Sequence, residues 1–248
     1  MGAVPARAQK IPTLTRPAIR HDHDNLLLSK LPTPERVRLI ARCEPVELAV
    51  DDVLCDRHRP MRHVYFPLCG FMSQVVTLEG RSGIEARVVG AEGMFGISLM
   101  FDVDVPGRVR VHGAGSALRL EAAQFRRELK RYPALKETLN RYLLVIASQL
   151  LQTAACNRLH RLPARLARWL LMARDRANSD DFYLTHDLAS YILGVRREGV
   201  TEAARLLQTR KLIRYSRGQV TITNARALEA ATCGCYAAMK QIYARIMS

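Results

Sequence analysis

The chain has 248 residues and carries 38 Lys and Arg residues against 23 Asp and Glu residues, a net charge of +15. This length is enough for two modest domains, each with its own hydrophobic core. A positive surplus is typical of proteins that bind a polyanion, and it fits DNA, RNA or a membrane surface. The longest apolar run, residues 142–151, is too short to cross a bilayer, which argues against a membrane protein. The N-terminus has no apolar export segment, so we expect a cytoplasmic location.

The first half of the chain divides into an arm and a domain. Residues 1–24 mix prolines with Arg and Lys and lack any period, which predicts a flexible basic arm. Residues 25–132 are predicted to form a sensor domain that begins with two short helices within residues 25–42. Short apolar runs separated by glycines then predict an antiparallel sandwich or jelly roll, which can hold a small ligand or nothing at all. The predicted strands cover residues 46–50, 63–66, 72–78, 85–89, 109–112 and 117–120.

A long helix is predicted over residues 133–157. Its apolar residues recur at spacings of four and three for almost three heptads, which is typical of a coiled-coil seam. The seam residues are Leu135, Leu139, Tyr142, Ile146 and Leu150. Such a seam packs either on the barrel of its own chain or on a second copy. Pro163 interrupts the helical pattern, so we place the joint between domains at residues 158–162.

Residues 158–248 contain two helices separated by a tight turn. Thr185 can cap the first helix, and Gly194 can end it because a left-handed residue costs glycine little. The second helix starts with three charged residues, Arg196, Arg197 and Glu198, on its solvent-facing side. This is the layout of a helix-turn-helix DNA-binding element. An ordinary helical hairpin with a solvated charged face is the alternative.

A hairpin follows the second helix. Residues 212–215 and 219–222 alternate at strand period around Ser216-Arg217-Gly218, which predicts a wing with a basic tip. Residues 151–248 hold 16 Lys and Arg residues against 7 Asp and Glu residues, a positive surplus of nine that suits a DNA partner. Because dimeric helix-turn-helix proteins need a two-fold axis, this domain favours pairing of the seam with a second copy.

The six cysteines are scattered, and buried, reduced, inert thiols are the favoured interpretation. They are Cys43, Cys55, Cys69, Cys156, Cys233 and Cys235. The close pair Cys233-Gly-Cys235 lacks the two-residue spacing of common zinc and redox motifs, and no second pair with histidine follows it. His21 and His23 fall in the polar end of the arm, where a solvated tail is favoured over a metal site. We therefore predict no metal site and no cofactor.

The domain order resembles that of the Crp/Fnr superfamily of bacterial transcription regulators over residues 25–224. The resemblance is most specific at Leu-Gly-Val-Arg-Arg-Glu-Gly-Val, residues 193–200, which is similar to the family's Gly-x-Ser-Arg-Glu-Thr-Val at the start of the recognition helix. It is weaker at residues 93–99 and 118–120. The resemblance implies an α+β fold with an N-terminal antiparallel β-roll or jelly roll, a long dimerisation helix and a C-terminal winged helix-turn-helix.

The resemblance also implies roles for single residues. Arg197 and Glu198 fall at base-reading positions, where Arg suits the O6 and N7 edge of guanine and Glu suits the N4 of cytosine. Glu202 replaces an arginine that commonly reads a further base, and it should change the preferred half-site. Gly199 replaces a common threonine. The expected phosphate contacts are Thr185, Arg196, Thr201 and Arg217.

The expected effector position departs from the family pattern. Members that bind cyclic AMP need a Glu for the ribose and an Arg-Ser pair for the phosphate, and Ile97 and Val105-Pro106 occupy those positions here. Asp102 and Asp104 would repel a phosphate. We therefore expect weak or no binding of cyclic AMP. The candidate pocket for an unidentified effector is Gly96, Ile97, Ser98 and Arg108. The cysteine cluster of the iron–sulfur members is also missing, because no cysteine precedes Cys43.

These patterns predict a non-enzymatic, sequence-specific DNA-binding transcription regulator that acts as a homodimer on a two-fold symmetric operator. Its partners would be double-stranded DNA, a second copy, RNA polymerase and a small-molecule effector. One alternative is a cupin-type barrel enzyme with a DNA-binding appendage, which needs two neighbouring histidines and a carboxylate. The barrel offers His58, His63 and His112, which are also candidate heme ligands by residue type only. A second alternative is a constitutive DNA binder with a purely structural barrel.

Overall fold

The computed structural model describes residues 24–56, 60–76, 84–103 and 107–248. The predicted arm up to residue 23, His58 and residues 104–106 lie outside this part. The helices are α1 Thr33–Ile40, α2 Ala122–Arg131, α3 Pro133–Leu159, α4 Leu162–Ala177, α5 His186–Leu193, α6 Arg197–Thr209, α7 Ala225–Ala231 and α8 Cys235–Ile246. The strands are β1 Glu44–Leu48, β2 Val53–Cys55, β3 His63–Val76, β4 Ile84–Val89, β5 Arg108–Glu121, β6 Asp181–Tyr183, β7 Ile213–Ser216 and β8 Gln219–Ile222. This mixture of helices and antiparallel sheet confirms the predicted fold class.

The N-terminal domain is built on one antiparallel sheet. Its strand order is β1-β5-β3-β4, and β2 pairs with the opposite end of β5. The two central strands, β3 and β5, are each 14 residues long and pair along most of their length. Two pairs of predicted short strands are therefore single strands, residues 63–76 and 108–121.

The glycines between the predicted short strands do not all mark turns, because Gly70 and Gly113 lie inside these long strands. The pairing of β3 with β5 shifts register on either side of Gly70, which has φ +74°. A Cβ atom on Gly70 would lie 2.5 Å from the carbonyl oxygen of Gly113. Glycine here permits a close backbone approach at a bulge, which bends a strand without ending it.

Helix α3 packs on the β-roll of its own chain. Leu135, Leu139 and Tyr142 are at most 3% exposed and share a core with the sheet and with α2. The Tyr142 hydroxyl accepts hydrogen bonds from the backbone N–H of Met94 (3.1 Å) and from Arg87 Nη2 (2.7 Å). Three of the five predicted dimer-seam residues are therefore core residues of their own chain. A heptad period predicts an apolar helix face, but it does not determine whether the same chain or a second copy packs on that face.

A different face of α3 is open to solvent. Leu144 is 57% exposed and Leu151 is 74% exposed, and both lie on the same side of the helix at a spacing of seven. From the predicted seam, Leu150 is also partly open, at 41%, whereas Ile146 packs at the edge of the core. Exposed leucines at heptad spacing are costly for an isolated helix and suit a helix–helix contact.

The C-terminal domain shares a hydrophobic core with the β-roll. Helix α4 begins at Leu162, shortly beyond the end of α3 at Leu159, within the predicted joint. Its Trp169 packs edge-to-face on Phe71 of β3, and its indole N–H donates to Glu85 Oε1 at 2.8 Å. The two domains are thus packed together and not only connected by a linker.

Helices α7 and α8 return along the molecule after the hairpin. Tyr236 of α8 donates a hydrogen bond to Asp175 of α4 at 2.7 Å, and the end of α8 packs against α3 through Tyr243 and Met247. None of the helices in the described ranges combines the length and apolar character needed to cross a membrane.

Candidate nucleic-acid interface

Helix α5 begins and ends at the residues that the sequence predicts. The Thr185 hydroxyl accepts a hydrogen bond from the backbone N–H of Leu188 at 3.0 Å, which satisfies one free donor of the first turn. Gly194 ends the helix in the left-handed region with φ +64°. The inner face, with Ala189 and Ile192, is buried against α4 and α6. These contacts fix the turn that orients the next helix.

Helix α6 presents a polar face to solvent. Val200, Ala203, Ala204 and Leu207 bury the inner face. The outer residues Arg197, Glu198, Thr201, Glu202 and Arg205 are exposed. A Cβ atom on Gly199 would lie 3.1 Å from Leu162 Cδ2, so the small residue lets α6 approach the start of α4 closely. The candidate base-reading side chains therefore share one accessible surface.

Contacts at the start of α6 tie it to α5. Arg197 Nε lies 3.3 Å from Asp187 Oδ1, and both side chains are mostly exposed. The Thr201 hydroxyl hydrogen-bonds to His186 Nδ1 at 2.9 Å. Burial and the nearby charge of Arg197 lower the pKa of His186, so its imidazole is neutral at pH 7. An exposed ion pair is worth only about 0–1 kcal/mol, so Arg197 can leave Asp187 for another partner.

The predicted wing is present. Strands β7 and β8 pair in register, and Arg217 and Gly218 form the turn with φ +50° and +82°. Two left-handed residues are the geometry that matches the twist of a two-residue hairpin. Arg217 is exposed at the tip. The sequence did not reveal the third strand, β6, which pairs with β8 and is only three residues long.

The wing and the first helix meet beside the start of α6. The ring of Tyr215 on β7 stands edge-on to His186, with centroids 4.7 Å apart. The Tyr215 hydroxyl donates to the carbonyl of Leu184, just before the Thr185 cap. The structure thus brings the predicted phosphate residues Thr185 and Thr201 to the same end of α6 as Arg197.

The four predicted effector positions, all among the described residues, are spread over a glycine turn, a short helical turn and the start of β5. Gly96 adopts φ +92°, and a Cβ atom there would meet Val64 Cγ1 at 2.9 Å. Ile97 and Ser98 belong to the short helical turn that follows it. Arg108 is the first residue of the central strand β5 and pairs with Asp56 at 3.1 Å. Two clefts open elsewhere, one between β4, α3 and α4 and one between α4 and α8, and neither is lined by these four residues.

The two barrel histidines within the described ranges lie far apart along the sheet. His63 pairs with Glu121 at one end of β3, whereas His112 lies beside Gly113, opposite Phe71. About nine residues of extended strand separate these positions, roughly 30 Å at the usual rise. Burial lowers the pKa of His112 to about 4, and its Nε2 lies 2.8 Å from the Ser73 hydroxyl. His63 and His112 cannot share one metal ion, as a cupin site would require.

Sequence reasoning missed a second group of polar side chains. Cys156, His160, Cys233 and Cys235 come together although 77 residues separate the first cysteine from the second, and their ligand atoms all lie within 4.8 Å of one another. The three cysteines are buried, as the sequence predicts, but they are not scattered in space, because they lie together beside His160. The local signal was Cys156 and His160 at a spacing of four, which places both on one face of a helix.

Comparison with known sequences identifies the C-terminal domain. Residues 164–231 match the Crp-like helix-turn-helix domain. This range contains α4 apart from its first two residues, α5, α6, the three-stranded wing sheet and α7. No curated protein matches the chain.

Comparison with solved structures extends the likeness to the whole fold. TTHB099, a CRP-family transcriptional regulator from Thermus thermophilus, aligns with a TM-score of 0.63 at 20% identity, covering 75% of this chain and 95% of that one. FixK2 from Bradyrhizobium japonicum aligns with a TM-score of 0.63 at 14% identity, covering 77% and 98%. TTHA1359, a CRP/FNR-family regulator also from Thermus thermophilus, aligns with a TM-score of 0.58 at 21% identity, covering 76% and 97%. At these identities, the likeness concerns the fold.

Proposed function

From a Crp-like helix-turn-helix domain on the Crp/Fnr fold, we propose that this protein is a sequence-specific DNA-binding transcription regulator. The observation that carries the proposal is the exposed start of α6. Arg196, Arg197 and Glu198 project there from a rigid turn, with a basic wing tip at Arg217. The positive surplus of the domain would bring it to the DNA backbone. Such a regulator would work in the cytoplasm and needs no catalytic step.

The exposed residues divide into two roles. Arg197 would bond the O6 and N7 edge of guanine in the major groove, and Glu198 would accept from the N4 of cytosine. Glu202 lies on the same face one turn further along, where it would influence a further base pair. The remaining candidates, Thr185, Arg196, Thr201 and Arg217, would hold phosphates and set the register of α6 in the groove.

The exposed face of α3 supports a homodimer. Leu144 and Leu151 would pack against the same residues of a second copy, in a self-complementary contact about a two-fold axis. The two recognition helices would then enter successive major grooves about 34 Å apart, on a two-fold symmetric operator. This seam replaces the one built on Leu135, Leu139 and Tyr142. RNA polymerase would be the further partner at a promoter.

The filled surroundings of Gly96 support an effector other than cyclic AMP, or none. Arg108 is the single cation among the four predicted positions, and its pairing with Asp56 at 3.1 Å disfavours a contact with a phosphate. A constitutive DNA binder with a structural β-roll is therefore the second candidate. DNA binding that is complete in the purified protein, and unchanged by cell metabolites, would favour it.

Selection of random duplex DNA with the full-length protein tests the proposal. We expect recovery of a motif with two-fold symmetry, because a dimer presents the same α6 to both half-sites. A single asymmetric half-site would contradict the dimer and leave the DNA-binding role intact. Recovery of no motif above a salt-sensitive background, with and without cell extract, would contradict sequence-specific binding.

A further inference from the structure

The four residues Cys156, His160, Cys233 and Cys235, named here the Cys/His cluster, lie where three helices meet. Cys156 and His160 occupy one face at the C-terminal end of α3. Cys233 and Cys235 flank Gly234, where α7 gives way to α8. The three cysteines are buried, and Ala164 at the start of α4 packs against them. The cluster therefore joins the chain's C-terminal segment to the joint between its two domains.

Two distances within the cluster match those of a metal coordination sphere, and all four ligand atoms lie within 4.8 Å of one another. Cys156 Sγ lies 3.5 Å from Cys233 Sγ, and Cys235 Sγ lies 3.6 Å from His160 Nδ1. Zinc binds thiolate at about 2.3 Å and imidazole at about 2.0–2.1 Å, so its tetrahedral ligands stand about 3.5–3.8 Å apart. We propose that Cys156, His160, Cys233 and Cys235 bind one zinc ion in a tetrahedral site.

The surroundings of the cluster suit an anionic metal centre. Three thiolates and a neutral imidazole around Zn²⁺ carry one net negative charge. Arg165 and Arg168 are buried beside the cluster at 8% and 5% exposure, and the positive charge of Arg168 acts on Cys156. The Nε atom of each is buried without a hydrogen-bond partner. Buried cations need a counter-charge, and the metal centre supplies one.

An outer-shell contact is also in place. Gln152, one turn before Cys156 on α3, donates from Nε2 to Cys235 Sγ at 3.0 Å. Hydrogen bonds of this kind orient metal ligands and tune the charge on sulfur. Soft thiolate and imidazole ligands select zinc over magnesium or calcium, and a full set of four protein ligands is typical of a structural site. The zinc would connect the start of α8 to the end of α3 and so stabilise the connection between the two domains near His160.

A disulfide is the competing use of two of these cysteines. The sulfurs of Cys156 and Cys233 are 3.5 Å apart, whereas a disulfide needs about 2.05 Å. Such a bond would leave Cys235 and His160 without a role and would remove two of the four ligands. The two uses exclude each other, so one experiment separates them.

Cobalt titration of the full-length, reduced, metal-free protein is the direct test. We expect one equivalent of Co²⁺ to give the strong visible bands of a tetrahedral site and thiolate-to-cobalt charge transfer, and one equivalent of Zn²⁺ to abolish both. Metal analysis of protein isolated without chelators should find about one zinc per chain. Absence of the charge-transfer band, or a chain that takes up no metal after reduction, would overturn the proposal. Stoichiometric iron in place of zinc would overturn the choice of metal.

Matched variants locate the ion. Cys233→Ser with Cys235→Ser should weaken zinc binding by at least about 100-fold, since even outer-shell changes cost about 10–100-fold. Gln152→Ala removes only a hydrogen bond to a ligand sulfur, so it should lower the zinc affinity by about 10–100-fold. Cys43→Ser with Cys69→Ser, two cysteines outside the cluster, is the control and should bind zinc normally. An equal loss in both cysteine pairs would count against the site. The test needs no DNA, so its outcome is independent of the proposed function.

Discussion

At the scale of the residue, Arg197 is the side chain on which sequence selectivity should depend. Arg197→Ala should lose roughly 1–3 kcal/mol on the selected site and flatten the preference at one base pair, because a bidentate contact to guanine disappears. Arg196→Ala is the matched control, and as a phosphate contact it should weaken binding to all sequences alike. Anisotropy titrations on selected and scrambled duplexes measure both. Equal losses on the two duplexes for Arg197→Ala would contradict its role.

We expect Asp187 to compete with DNA for Arg197. Its carboxylate lies 3.3 Å from Arg197 Nε on an exposed surface that faces the proposed ligand. Asp187→Asn should therefore tighten binding, because it frees the arginine and removes a negative charge near the phosphates. The gain should shrink as salt rises, since salt screens exposed charges. Titration at two salt concentrations checks this, and weaker binding at low salt would show that Asp187 positions Arg197 productively.

At the scale of the element, α5 depends on its cap. Thr185→Ala should lower the free energy of unfolding by about 1 kcal/mol, because one N–H of the first turn loses its acceptor. Ser190→Ala is a suitable control, because Ser190 lies inside the same helix and its hydroxyl donates only to the exposed carbonyl of Asp187. Urea denaturation compares the two. A similar small change in both variants would mean that the cap contributes little.

The exposed face of α3 should carry the dimer. Leu144→Asp with Leu151→Asp should shift the protein to monomers, because the change places charge in an apolar contact. Phe101→Ser, at a similarly exposed apolar residue outside α3, should leave the assembly unchanged. Sedimentation velocity gives the masses. Dimers that survive the α3 double change would place the interface elsewhere.

Local signals predicted most of the DNA-binding domain, and long-range contacts explain what they could not predict. The Thr185 cap, the Gly194 turn and the Arg217-Gly218 hairpin each follow from a few neighbouring residues. The apolar period correctly predicted one buried face of α3. That face packs on the β-roll of its own chain, and this choice depends on the tertiary fold. The Cys/His cluster was hidden for the same reason, because its halves come from the end of α3 and from the segment between α7 and α8, which are far apart in the sequence.

At the scale of the whole molecule, Glu85 should make the contact between domains sensitive to pH. Burial raises the pKa of Glu85 to about 7 from its ordinary value of 4.5, although the Trp169 N–H and the charges of Arg176 and Arg168 oppose the shift. Between about pH 4.5 and pH 7, Glu85 is therefore protonated in the folded protein and ionised in the unfolded chain. Stability should fall as pH rises from about 4.5 to 7 and then level off, by at most about 3 kcal/mol.

Glu85→Gln tests this dependence. The amide keeps an oxygen to accept from Trp169 and cannot ionise, so the variant should lose the Glu85 part of the pH dependence. Denaturation midpoints of both proteins are measured at about pH 5.5 and pH 8. The shift between the two pH values is then compared between wild type and variant, which removes the contribution of all other groups. The same pH dependence in both proteins would mean that Glu85 is ionised throughout.

The packing of the helix-turn-helix on the β-roll limits how freely the two halves can be exchanged. The turn at Gly194 rests on Ile84 of β4, where a Cβ atom would come within 2.8 Å of the isoleucine, and Trp169 fills the space beside Phe71. The stretch that matches the family starts at residue 164, yet its core continues into the other domain. A chimera that grafts this half onto a related β-roll would inherit mismatched surfaces at Ile84, Phe71 and Glu85. We therefore expect relatives that differ at these positions to carry compensating substitutions in both domains. The DNA-binding domain should not be exchangeable between relatives without them.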